Sequence, residues 1–163
     1  MSAETVSRRN EEKEIKALAG DILGSDRFEK AKHIPHHGSV SVARHSLETA
    51  RLALRICRRL KKKGIYPDER DVVRSALLHD IGMTRERVFG SVSWIKAYTH
   101  PREGALIAEE EFGANEAQRN AIRRHMWPIC VVPPAHLTGW IVLAADKECS
   151  MREAARRVRT GNR

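Results

Sequence analysis

One stretch limits the folds open to this chain more than any other. In Leu77-Leu78-His79-Asp80-Ile81-Gly82 an apolar helical run leads straight into a histidine and a carboxylate, and a glycine then stops it. Val72, Ala76 and His79 fall on one helix face, and Val73, Leu77 and Asp80 form the adjacent row. Both ionisable side chains therefore continue the core-facing stripe. Burying two such groups is costly unless something pairs them. A divalent metal would do so, and the fold would then have to bring further ligands to this helix end.

The rest of the chain also reads as helix. Residues 1–10 are polar and are expected to be disordered. Ile15, Leu18, Ala19 and Ile22 have helical spacing over residues 11–23, and Gly24 is the stop. Phe28 and Ala31 are compatible with an extension of that helix, which Pro35 ends. His36-His37-Gly38-Ser39 reads as a turn, with Ser39 or Ser41 capping a helix that runs to Lys63. Its stripe is Ser46, Ala50, Ala53, Cys57 and Leu60, with His45 at the edge. Gly64 ends it, and the next helix covers residues 69–79.

Residues 83–99 are mixed. Residues 91–98 read as a short helix or an extended connection, with Gly90 as hinge. His100-Pro101 opens a further helix, since proline suits the first turn. Ala105, Leu106, Ala108 and Phe112 line its buried side. Asn115 caps the following helix, which places Ala117, Ala121, Ile122 and His125 on one face and stops at Pro128. A last helix over residues 137–156 turns Val142, Ala145, Asp146 and Cys149 inward. No period-2 strand pattern is found. The expectation is an all-α, compact single-domain bundle of about six to seven helices, which suits a chain of 163 residues.

The net charge of +9 is concentrated in residues 55–63 and 151–163. Such runs are solvated helix ends and a basic tail, or they attract an anionic partner: a nucleotide, nucleic acid or an acidic membrane. Charge alone does not choose. No apolar run approaches the length a bilayer requires, and the first residues carry no apolar signal segment, so a cytoplasmic location is expected. Cys57, Cys130 and Cys149 are odd in number and lack a Cys-x-x-Cys spacing. That argues against a disulfide framework or a zinc ribbon and for three small core residues in a reducing compartment.

Collecting the polar residues on apolar helix faces gives His45, His79, Asp80, His125 and Asp146, and His100 joins them at a helix start. Taken singly, each has an ordinary explanation: a satisfied core histidine, or for Asp146 a salt bridge between helices. Taken together, four histidines and two aspartates from five segments suit a divalent transition metal, Fe, Mn, Co, Ni or Zn. Six ligands with a shared aspartate suit two metals.

The order of these residues resembles the HD-domain phosphohydrolase superfamily. His45, in Val42-Ala43-Arg44-His45-Ser46, resembles the family's first histidine. His79-Asp80 resembles its signature doublet, and Asp146, in Ala144-Ala145-Asp146-Lys147, its final aspartate. His100 and His125 resemble the extra histidines of its dinuclear branches. The closest likeness is to small bacterial members that hydrolyse symmetric dinucleoside polyphosphates. The chain departs from the pattern at Met83, where many members have lysine, and at Met126-Trp127-Pro128 after His125.

The resemblance spans about His37 to Cys149, and the expected organisation is a disordered stretch over residues 1–10, a helical extension over 11–36, an HD domain over 37–158 and a basic tail over 159–163. It implies one or two divalent metals, with Asp80 as the bridge. His45, His79 and Asp146 would bind one metal, and mainly His100 and His125 the other. The implied activity is hydrolysis of a nucleotide or other small phosphate ester by activated water. Lys147 and Arg102 are candidates to face the phosphate. His37 is a candidate leaving-group acid or a turn cap. Two other readings stand beside this one: an HD-type di-iron oxygenase, and a non-enzymatic module that binds nucleic acid or another partner through its arginines.

Overall fold

A computed structural model describes residues 3–37, 39–84 and 93–161; the side chains of residues 3, 4, 37, 93–98 and 160 lie outside the description. Seven α-helices are found among the described residues: α1 (Ala3–Leu23), α2 (Asp26–Ala31), α3 (Val42–Lys61), α4 (Glu69–Leu78), α5 (Ser93–Phe112), α6 (Glu116–Arg124) and α7 (Leu137–Thr160). A 3-10 turn, Ile81–Thr84, follows α4. The fold is all-α, as the periodicity implies.

Helix α4 is the central element, packed against α1, α3, α6 and α7. Its ends follow from local chemistry. The Asp68 side chain accepts the Asp71 N–H at 2.9 Å, and Glu69 and Asp71 place negative charge in the first turn. Helix α3 begins in the same way, with the Ser41 hydroxyl accepting the Arg44 N–H, and ends with Arg58, Arg59 and Lys61 in its last turn. Val72, Val73, Ala76, Leu77 and Leu78 of α4 are fully buried, together with Ala50, Ala53, Leu54 and Cys57 of α3 and Val142 and Ala145 of α7. The sequence stripes on these three helices form the core between them.

Several boundaries differ from the sequence expectation, each for a physical reason. Helix α1 begins at Ala3, well before residue 11. Ion pairs rather than apolar burial hold its polar part: Arg8 to Glu48, Glu12 to Arg51, and the buried Glu11 to Arg55 at 2.7 Å. Hydrophobic periodicity does not register such contacts. Residues 26–31 form a separate helix because Ser25 caps it, accepting the Phe28 N–H at 3.1 Å.

A two-stranded antiparallel sheet, β1 (Pro35–His37) and β2 (Val40–Ser41), leads into α3. Its strands are too short to show a period of two. Helix α5 runs through Pro101 rather than starting there, at the loss of one backbone hydrogen bond. On α5, Leu106 is exposed and Ile107 is buried instead. Helix α7 continues to Thr160, beyond residue 156. Gly90 lies outside the described residues.

Candidate metal centre

The sequence constellation converges. His45 comes from the first turns of α3, His79 is the C-cap of α4, and Asp80 follows it directly. His100 comes from α5, His125 is the C-cap of α6, and Asp146 lies on α7. His45 and His79 are fully buried, and Asp80, His100, His125 and Asp146 are each no more than 6% exposed.

Asp80 stands at the centre, with its two oxygens facing different groups. Oδ2 lies 3.2 Å from His79 Nε2 and 4.0 Å from His45 Nε2. Oδ1 lies 3.2 Å from His100 Nε2 and 3.4 Å from His125 Nε2. Asp146 Oδ1 completes the first group, 3.1 Å from His45 Nε2 and 3.7 Å from His79 Nε2. The His100 and His125 Nε2 atoms are 3.1 Å apart. His45, His79 and Asp146 form one set of potential metal ligands, and His79, Asp80 and His125 another.

Backbone chemistry aims two of the rings. His79 Nδ1 sits 2.8 Å from the Ala76 carbonyl and His125 Nδ1 2.7 Å from the Ile122 carbonyl. Each ring donates its Nδ1–H to a carbonyl three residues back, in the last turn of its own helix, where carbonyls lack helical partners. Nε2 is thereby turned towards the cluster, which is the orientation metal-binding histidines adopt. The C-terminal ends of α4 and α6 also direct their partial negative charge there.

The carboxylates and imidazoles of the cluster shift one another. Burial pushes the Asp80 carboxyl up, but the charge on His79 and the close approach of the His100, His125 and His36 rings outweigh it and hold the group well below the usual carboxylate range. Asp146 behaves alike: burial raises it, and the hydrogen bond with His45 and the nearby His79 ring hold it well below. Burial lowers His79, yet Asp80 and Asp146 together raise it well above an ordinary imidazole. For His125, burial dominates and the ring is held below its ordinary value.

The residues fit a divalent ion. His79 Nε2 is fully buried, close to both carboxylates, and makes no hydrogen bond to either. A positive charge shared by several donors satisfies that arrangement. A single N–H does not. The donor set of imidazoles and carboxylates suits a transition metal.

A family model for the HD domain matches residues 42–148, about two thirds of the chain. The chain belongs to the HD domain family. The His79-Asp80 doublet that names the domain is the pair at the centre of the cluster. Neither a curated protein nor a solved structure matches the chain. No helix among the described residues is long and apolar enough to cross a membrane.

The remaining candidates are placed less centrally. Lys147 Nζ lies 3.0 Å from Asp146 Oδ2, with its side chain 44% exposed, so its charge sits at the rim of the HD centre. Arg102 is exposed on α5, two residues after His100. The side chain of His37 lies outside the described residues. Met83 packs part-buried against the core, and Trp127 meets Trp140 edge to face with ring centroids 5.6 Å apart.

Two residues were missed by reading the sequence. His36, beside His37, places Nε2 3.0 Å from Asp80 Oδ2. Neighbouring residues of a strand point to opposite faces, so a histidine doublet leaves a one-residue ambiguity that only the strand register resolves. Glu153 places Oε1 3.0 Å from His45 Nδ1. Its signal was its spacing: it follows Asp146 by two helical turns and shares its face.

Proposed function

We propose that this HD domain is a metal-dependent phosphohydrolase acting on a small phosphate ester or anhydride, with a nucleotide as the expected class of substrate. The observation that carries the reading is the division of Asp80 between two imidazole groups, His45 with His79 on one oxygen and His100 with His125 on the other. That division supports two metal positions, one held by His45, His79, Asp80 and Asp146, the other by Asp80, His100 and His125. Divalent ions bound there supply Lewis acidity towards a phosphoryl oxygen and make water a nucleophile at neutral pH.

The chain's own residues do the rest. Asp80 and Asp146 remain ionised, so the centre keeps its negative charge. The Ala76 and Ile122 carbonyls fix the tautomers of His79 and His125. Lys147 holds a cation at the rim, where charge develops on a phosphate during transfer. Arg102, exposed on the neighbouring helix, is the second candidate for that role.

A binding module that uses its arginines is less well supported. Several of those side chains already pair with carboxylates of the same chain: Arg27 with Glu111, Arg51 with Glu12 and Glu48, Arg58 with Glu14, Arg119 with Glu109 and Glu116, and Arg152 with Glu148.

The test uses purified full-length protein, with elemental analysis and a screen of nucleotides and polyphosphates under nitrogen. Asp80→Ala is expected to lose metal and activity together, and His125→Ala to lose mainly one metal per chain. Two metals retained in His125→Ala would refute the dinuclear reading. Turnover that requires O₂ would replace hydrolysis by oxygenase chemistry.

A further inference from the structure

Two side chains reach the centre from just outside residues 42–148, His36 on β1 and Glu153 on α7. The buried Glu153 carboxylate faces two imidazoles at once. Oε1 is 3.0 Å from His45 Nδ1, and Oε2 is 3.9 Å from His36 Nδ1. The two rings stack, with centroids 3.9 Å apart and planes 20° apart.

A carboxylate on the Nδ1 side favours the Nδ1–H tautomer and leaves Nε2 as the donor atom. For His45 that contact is a hydrogen bond; for His36, at 3.9 Å, it is a longer ion-pair contact, and both rings present Nε2 inward. That of His36 lies 3.0 Å from Asp80 Oδ2, the oxygen that also faces His79 and His45. His36, His45 and Asp80 offer ligand atoms that all lie within 4.8 Å of one another. His36 thus meets the geometric requirement that His45 meets, and the same carboxylate stands behind both.

We propose that His36 is a further protein ligand of the metal position formed by His45, His79, Asp80 and Asp146, and that Glu153 is the positioning residue that aims His36 and His45 at it. The proposal rests on the metal reading above and makes the two positions unequal. One has five protein ligands, and the other has Asp80, His100 and His125. The less saturated position, beside α5 and α6, is then where substrate and water have room to enter.

Co(II) binding tests this. Full-length wild type, His36→Ala, His36→Gln and Glu153→Gln are titrated with Co(II) under nitrogen. Bound metal is measured after gel filtration, and the visible absorption bands report the number and type of donors. Far-UV circular dichroism verifies folding.

Both His36 variants are expected to weaken the tighter Co(II) position by about tenfold or more and to change its visible bands. Glu153→Gln is expected to weaken it by about 10–100-fold, the usual effect of removing a partner behind a ligating histidine, with a smaller change in the bands. Wild-type affinity and spectrum in a folded His36 variant would overturn the proposal and leave the metal reading intact. A wild-type chain that takes up no Co(II) would overturn both. If neither His36 variant folds, Glu153→Gln decides: unchanged Co(II) affinity overturns the proposal.

Discussion

The backbone of Gly82 is where the HD doublet meets α5, and enlarging it should displace one half of the centre. Gly82 lies in the 3-10 turn that follows Asp80, pressed against α5. A Cβ added there would come 2.7 Å from the Gly104 nitrogen and 3.0 Å from the His100 carbonyl carbon, and closer still to the His100 oxygen. Ordinary contact at a Cβ begins at 3.4 Å. Every obstructing atom is backbone, so no side chain can rotate out of the way. The turn and α5 must separate, and α5 carries His100 with it.

Overpacking a well-packed site costs about 1–3 kcal/mol, and the upper end applies where only backbone can yield. For a chain of this size about 3 kcal/mol lowers Tm by about 6–12 °C. Gly82→Ala is therefore expected to melt well below wild type and to lose the metal position that depends on His100. Gly104→Ala is the control. Its Cβ would meet Gly82 N and Ile122 Cγ2 at 3.3 Å, a far smaller overlap. Gly104 also lies inside α5, where alanine gains up to about 1 kcal/mol of helix propensity, so the net change should be small. Thermal unfolding with elemental analysis on both variants checks the ranking. Gly82→Ala melting within about 2 °C of wild type, with its metal content intact, would refute the close-approach argument.

Asp21 accepts a hydrogen bond from the buried Arg74 at 2.6 Å, which holds its carboxyl below the ordinary value. A depressed carboxyl stabilises the fold above the unfolded value of 3.8 and loses that contribution as pH falls through the folded value. Asp21→Asn should cost under about 1 kcal/mol near neutrality, because Asp21 is half exposed, and the gap to wild type should close in acid. Melting curves across pH check this, and a gap that widens in acid would contradict it. Cys57 and Cys149 are pushed up to about 11, chiefly by burial. Neither should label with a thiol reagent at pH 7 until the chain is denatured, when all three cysteines should react. Peptide mapping by mass spectrometry separates them, and fast native labelling of Cys57 or Cys149 would contradict their burial.

How much of the His/Asp cluster the sequence revealed depended on where each residue lies on its helix. His45, His79, His125 and Asp146 interrupt apolar stripes, and a polar residue on an apolar face is visible in periodicity alone. His100 joins the cluster, although its helix does not begin where Pro101 suggested. The helix class followed from the same stripes. What periodicity could not register were contacts between polar surfaces, such as the ion pairs that hold α1 on α3, and a hairpin too short to alternate.

The two omissions at the centre have the same root. His36 and Glu153 carry no apolar stripe of their own; Glu153 meets the Nδ1 of His45, and His36 stacks on the same ring. The Nδ1 atoms of His79 and His125 are met locally, through carbonyls three residues back. His45 lies near the start of α3 rather than at a helix end, where such carbonyls are free. Its Nδ1 must be met from elsewhere in the fold, and Glu153 meets it from 108 residues away. A histidine ligand at a helix C-cap brings its own support. One in the first turns of a helix must draw its Nδ1 partner from elsewhere in the fold, and for His45 that partner is the Glu153 carboxylate.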